Sequence, residues 1–177
     1  MMIIVNSQIQ QAIKKKQHQG FTIMFASHFF SMVHKAIITG GILILSVSMA
    51  SAASYVSVNG DNINVRTGPG TDNQVSMELF EGYPLQVIGT KGDWLQVVDY
   101  EQDKGWIHKS LVVDGNTVIV NGTKSVNMRT EPSTTSSIIA NVDRGVVLTK
   151  LESRGKWLKL KHSSGLIGWI YKPLLWP

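Results

Sequence analysis

Cysteine is absent from the 177 residues. Disulfide staples, zinc–thiolate sites, a cysteine nucleophile and an acylated N-terminal cysteine are therefore excluded. Acidic residues are absent ahead of residue 53, where Lys14, Lys15, Lys16 and Lys35 stand unopposed. Charge is sparse, at 16% of residues, while hydrophobic residues make up 43%. That balance is globular rather than disordered, and the length suits one or two domains. Beyond residue 53 no segment holds a helical apolar period for three turns, so a helical bundle is excluded there.

The net charge of +5 is misleading, because its excess lies in the N-terminal segment. From Ala53 onward there are 13 Lys and Arg against 12 Asp and Glu. No sustained basic stripe of the kind that neutralises phosphates is present, and nucleic acid is not an expected partner.

Residues 36–47 (AIITGGILILSV) are an uninterrupted apolar run behind His34-Lys35 and ahead of a small-residue string. A charged start, a short apolar core and an A-x-A at Ala50-Ser51-Ala52 are the three parts of a secretory signal peptide. Ala50, Ala52 and Ala53 mark the expected cleavage region. The run is short of the roughly 20 residues of a membrane span, although an uncleaved anchor is the alternative. Counted from Met32 the leader has ordinary proportions; from Met1 it is long, and Met24 is a third candidate start. Residues 1–31 then read as a mis-annotated extension and 32–53 as the signal peptide. The protein is expected to be exported, to periplasm or medium, with no stable membrane span after cleavage.

The remainder repeats at an offset of 63 residues: Asn64-Val65-Arg66-Thr67-Gly68-Pro69 aligns with Asn127-Met128-Arg129-Thr130-Glu131-Pro132. Gly92-Asp93-Trp94-Leu95 aligns with Gly155-Lys156-Trp157-Leu158, and Gly105-Trp106-Ile107 with Gly168-Trp169-Ile170. Over positions 64–111 there are 15 identities in 48 without a gap. Ordinary residue usage would give about 3, so duplication is secure. Short Val, Ile, Leu and Trp runs broken by Gly, Pro, Asn and Asp predict strands. In the first unit these are 55–58, 63–66, 75–79, 85–89, 94–98 and 105–107, with one helical turn at 108–111. At about 60 residues per unit a small closed barrel is the economical fold, since closure protects the edges.

Alternation assigns the faces. Leu158 and Leu160 point inward, leaving Trp157, Lys159 and Lys161 on one outer face. Ile63 and Val65 point in, with Asn64 and Arg66 outside. Ile107 and Ile170 are core positions; Trp106 and Trp169 fall on the opposite side, beside His108 and Tyr171.

These ordered motifs, N-V-R-T-G-P-G, G-D-W-L and G-W-I in the first unit and N-M-R-T-E-P, G-K-W-L and G-W-I in the second, resemble the bacterial SH3 (SH3b) family. The resemblance covers about 54–112 and 117–176. It implies an all-β chain of two tandem SH3-like small β-barrels, at 54–112 and 117–177, joined by a linker at 113–116. Many family members are thought to bind peptidoglycan or peptides, and they often accompany wall-degrading enzymes. Glu131 and Ser133 replace Gly68 and Gly70, so the second unit's first turn differs in detail.

Catalysis requires a nucleophile or metal positioned with a base. His108 and His162 occupy non-equivalent repeat positions and show no ligand spacing. Asp99, Glu101 and Asp103 read as a solvated turn. No enzyme activity, cofactor or metal is expected. Aromatic faces stack on sugars and hold extended peptides. The candidate ligand-binding residues are Trp94, Tyr100, Trp106, His108, Trp157, Lys159, Lys161, Trp169 and Tyr171, with Tyr83 beside them; the paired Trp residues could equally be lids on the core. The expected function is an exported, non-catalytic module recognising cell-wall peptidoglycan through glycan or stem peptide. The alternative is an adaptor that binds another envelope protein. Residues 55–116 hold 4 cations and 9 acids, and residues 117–177 hold 9 and 3. That asymmetry allows electrostatic contact between the units, within a chain or head to tail.

Overall fold

The computed structural model describes residues 53–177, which fall in one compact unit. Ala50, Ala52 and the signal peptide lie outside the described residues; Ala53 opens them as an exposed residue. The first barrel comprises β1 (Ser54–Val58), β2 (Ile63–Arg66), β3 (Val75–Leu79), β4 (Pro84–Lys91), β5 (Trp94–Val98), β6 (Lys104–His108) and β7 (Val112–Asp114). The second comprises β8 (Thr117–Val120), β9 (Ser125–Arg129), β10 (Ile138–Asp143), β11 (Val147–Arg154), β12 (Trp157–Lys161), β13 (Ile167–Tyr171) and β14 (Leu175–Trp176). The strand orders are β3-β2-β6-β5-β4-β1-β7 and β10-β9-β13-β12-β11-β8-β14, so the two sheets are copies. All pairings are antiparallel.

Each sheet wraps one core. Val58, Val65, Leu79, Leu85, Val97 and Ile107 come from six strands and are all buried together. Their counterparts in the second barrel include Met128, Leu148, Leu160 and Ile170. Leu95 and Leu158 are partly buried against these cores, as the strand alternation predicts. The glycine of the G-W-I motif has a packing reason. A Cβ on Gly105 would collide with Val65 Cγ1, and one on Gly168 would lie 2.5 Å from Met128 Cγ. Gly92 and Gly155 turn the β4–β5 and β11–β12 hairpins at φ +58° and +54°, a region that suits glycine.

The join is tighter than the sequence suggests. Val113 and Asp114, read as linker, pair with Ser57 and Val56 in β7. Only Gly115 and Asn116 separate the last strand of one barrel from the first of the next. Gly115 donates its N–H to the Tyr55 carbonyl, and Lys150 donates to that of Asn116. Ile119 of β8 is 1% exposed and belongs to the first barrel's core, with Val147 and Trp176 packed against it. Thr117 Oγ1 donates to the Gly82 carbonyl at 2.6 Å and lies 2.7 Å from Ser57 Oγ. Alternation along β8 produces this seam: Val118 and Val120 face the second core while Ile119 faces the first.

Candidate functional site

On the outer face of the first barrel, the β5–β6 ladder places Trp94 opposite His108 and Gln96 opposite Trp106. Lys91 stands opposite Trp94, and Arg66 opposite Trp106. Directly opposed residues of an antiparallel pair share a face, so these side chains form two adjoining rows. Trp94 and His108 meet edge to face, with ring centroids 5.4 Å apart. His108 Nδ1 accepts from the Ser110 N–H at 3.3 Å and lies 2.8 Å from Ser110 Oγ. That cap opens the short 3₁₀ turn at Lys109–Leu111 and fixes the imidazole.

Across from this pair, the β2–β3 loop is held by Arg66. Its Nη1 donates to the Asn73 carbonyl at 2.7 Å. Loop and sheet enclose a cleft of about 470 Å³, with Asn62, Asn64, Arg66, Trp94, His108 and Ser110 on its walls. Trp94, Ile63 and Leu111 make most of the wall apolar, and the amides, guanidinium and hydroxyls set into it are few, a combination that suits the face of a sugar or an amide-bearing peptide. The His108–Ser110 contact is local capping. Among the described residues no carboxylate orients the ring as an activated nucleophile would need, and no three His, Asp or Glu side chains cluster to hold a metal.

The second barrel repeats the frame and changes its chemistry. Trp157 stands opposite Tyr171, with centroids 5.5 Å apart. Arg129 Nη1 donates to the Ser136 carbonyl at 2.6 Å, as Arg66 does to Asn73. Trp169, the copy of Trp106, is 3% exposed. Arg154 lies over its ring at 5.1 Å and Lys159 at 5.9 Å. Arg154 is also paired to Glu152 at 2.9 Å. Lys161 is exposed and sits opposite Ile167 at the far end of the same face.

The candidate residues therefore divide. Trp94 and His108 line one cleft; Trp157 and Tyr171 occupy the matching place in the second barrel. Trp106 is half-buried in the row next to Trp94. Trp169 offers almost no free surface, because two cations cover it. Tyr100 does not join the cleft. Its ring lies under the Arg144 guanidinium at 5.1 Å and 6.3 Å from the Tyr83 ring, at the seam between barrels. Tyr83 is buried and donates to Asp99 Oδ2 at 3.2 Å. Burial first, and then Asp99, push its phenol pKa far above the ordinary value.

The solvated-turn reading fails for Asp99, which is 3% exposed. Its Oδ1 accepts from the Glu101 and Asp103 N–H groups at 2.9 Å, closing the β5–β6 turn. Burial raises its pKa, and those two N–H donors oppose the shift. His162 does the same work in the copy. Its Nδ1 accepts from the Ser164 N–H at 3.0 Å, and burial lowers its pKa. The cleft residues Asn62, Asn64, Arg66 and Ser110 were not among the candidates. The duplicated N-x-R motif was their visible signal, but an Arg that clamps its own loop looks the same in sequence.

The profile of the bacterial SH3 domain family matches residues 59–114 and 122–177. The chain belongs to that family. Its two SH3 domains are the two barrels described above, and the fold is all-β as expected. The chain is 24% identical over 152 residues to the "Putative N-acetylmuramoyl-L-alanine amidase YrvJ" of Bacillus subtilis (strain 168), covering 80% of this chain and 29% of that protein. It thus spans less than a third of that relative's length. Among solved structures, NlpC2 from Trichomonas vaginalis matches at 19% identity and a TM-score of 0.31, covering 71% of this chain and 48% of the other. NlpC1 from the same organism matches at 19% and 0.30, covering 77% and 50%.

Proposed function

We propose that this SH3-domain protein is an exported, non-catalytic module that binds cell-wall peptidoglycan, with the Trp94–His108 cleft as the seat for glycan or stem peptide. The observation that carries the reading is the cleft itself: a fixed aromatic pair, with the Ser110 hydroxyl beside it, lining an open cleft with the Asn62 and Asn64 amides. The family membership and a relative named for cleaving N-acetylmuramoyl-L-alanine bonds support a ligand from the wall. Among the described residues no helix is long and apolar enough to cross a membrane. The test is co-sedimentation with purified sacculi. Protein in the pellet at low salt supports the reading, and protein left wholly in the supernatant contradicts it.

A second reading, an adaptor for another envelope protein, draws on the outermost strands. Val75 of β3 and Ile138 of β10 occupy matched repeat positions and are 48% and 51% exposed. Recovery of one defined envelope protein from a crosslinked pull-down, with sacculi ignored, would favour it.

A further inference from the structure

The two barrels solve one piece of electrostatics differently. In the first, the β4–β5 turn and the end of β6 are tied by the Lys109 N–H donating to the Asp93 carbonyl at 2.9 Å. Their side chains close the same gap, with Lys109 Nζ 3.8 Å from Asp93 Oδ1 and donating to the Gly92 carbonyl at 2.7 Å. In the second barrel the backbone tie is preserved, Lys172 N–H to Lys156 carbonyl at 2.9 Å. The carboxylate is gone: Lys156 stands where Asp93 stands, and Lys172 where Lys109 stands. Two ammonium-bearing chains thus leave adjoining backbone positions. Among the described residues no carboxylate lies within ion-pair distance of either. Trp157 follows Lys156 and Tyr171 precedes Lys172, and the two rings face each other across the ladder, so the two lysines leave the chain at the end of the row that carries the ring pair.

We propose that Lys156 and Lys172, with the Trp157–Tyr171 ring pair, form a binding site for a phosphorylated sugar of the wall. The proposal rests on the wall-binding reading and deepens it. Rings stack on a sugar face, and two unpaired ammonium groups match an anion of more than one charge with several acceptor oxygens. A lone carboxylate carries one charge and two oxygens, which two lysines overmatch. Lys159, in the adjoining row, extends the positive field, while Arg154, opposite Trp157, is paired with Glu152. The first barrel lacks this site because Asp93 already occupies Lys109.

The test uses the full protein, followed residue by residue through amide and indole N–H resonances. It is titrated with N-acetylglucosamine 1-phosphate, and separately with N-acetylglucosamine and with glucuronate. The phosphate sugar is expected to move the Trp157 indole and Lys172 amide signals at least about tenfold more tightly than the other two, the scale of one or two charge-assisted hydrogen bonds. Lys156→Asp imports the first barrel's ion pair and should weaken that response about tenfold. Asp93→Lys should create a new response at Trp94. Each substitution is the residue its repeat partner already carries, and a Lys172→Ser variant serves as a second probe should Lys156→Asp misfold. Equal responses at Trp94 and Trp157 in the native protein, or indifference to these substitutions, would overturn the site. Glucuronate binding as tightly as the sugar phosphate would overturn the phosphate assignment. Native and acid-stripped, phosphate-free sacculi keep the two ideas apart: equal sedimentation by both overturns this site and leaves the wall-binding reading standing, weaker sedimentation by the stripped sacculi supports the site, and sedimentation by neither overturns the wall-binding reading.

Discussion

The two barrels share a strand order, a register and a clamp arginine, yet they carry opposite surfaces. The first closes its turn with a buried carboxylate, the second with a buried imidazole. The first pairs Lys109 with Asp93, and the second leaves Lys156 and Lys172 side by side. In the first, Trp106 is half open; in the second, Trp169 lies beneath Arg154 and Lys159. The lesson is that backbone geometry tolerates either chemistry at a turn, provided one side-chain acceptor meets the orphan N–H groups. What differs is the charge each face presents.

The comparison breaks most visibly at the seam. Ile119 is encoded in the second barrel but fills the first barrel's core. Ile119→Ala should cost about 2–5 kcal/mol, and calorimetry should show the first barrel's transition falling with it. A drop confined to the second barrel would contradict the shared core. Next in size are the motif glycines. Gly105→Ala drives a methyl into the stiff, β-branched Val65 at Cγ1, whereas Gly168→Ala meets unbranched Met128 and the tip of Ile139 at Cδ1, which have more rotamers to yield with. Denaturant titration should show a loss of about 1–3 kcal/mol for Gly105→Ala and a smaller loss for Gly168→Ala.

The turn caps sharpen the comparison through pH. His162 has a lowered folded pKa, so the unfolded chain binds its proton first. The second barrel's stability is then full above the ordinary value of about 6.5 and declines as pH falls through it. Asp99 has a raised folded pKa, which gives the first barrel the opposite sign: stability is highest when the carboxyl is protonated and declines as pH rises above about 3.9. Thermal unfolding between about pH 7.5 and 5 should lower the second transition, and His162→Gln should remove that dependence. The smallest effect belongs to Arg144, which touches the Tyr100 ring and lies 3.5 Å from Glu101 Oε1. Exposed as that pair is, Arg144→Ala should change stability by less than about 1 kcal/mol. Scattering in low and high salt should show the barrels staying together, because the seam is chiefly apolar and hydrogen-bonded.

Much of this was legible in the sequence. Strands β2, β3 and β5 lie where alternation places them, because each carries apolar residues at every second position between Gly, Asn or Asp breaks. The face assignments of Leu160, Ile107 and Ile170 followed from the same period. Other features were hidden for identifiable reasons. Val112–Asp114 is too short to show a period, and it becomes a strand only by pairing with β1. Asp99 looked solvated because two further acids flank it, and only burial distinguishes the cap from its neighbours. Tyr100 joined the candidate cleft by being aromatic, whereas its place was decided by Arg144, which is 44 positions away in the chain.

The central claim is that the open aromatic cleft of the first barrel holds the wall. Its most direct test is to map amide and indole shifts on the full protein as soluble peptidoglycan fragments are added. The account predicts perturbations concentrated at Asn64, Trp94, His108 and Ser110. Shifts confined to the seam around Tyr100 and Thr117, or none at saturating fragment, would contradict it.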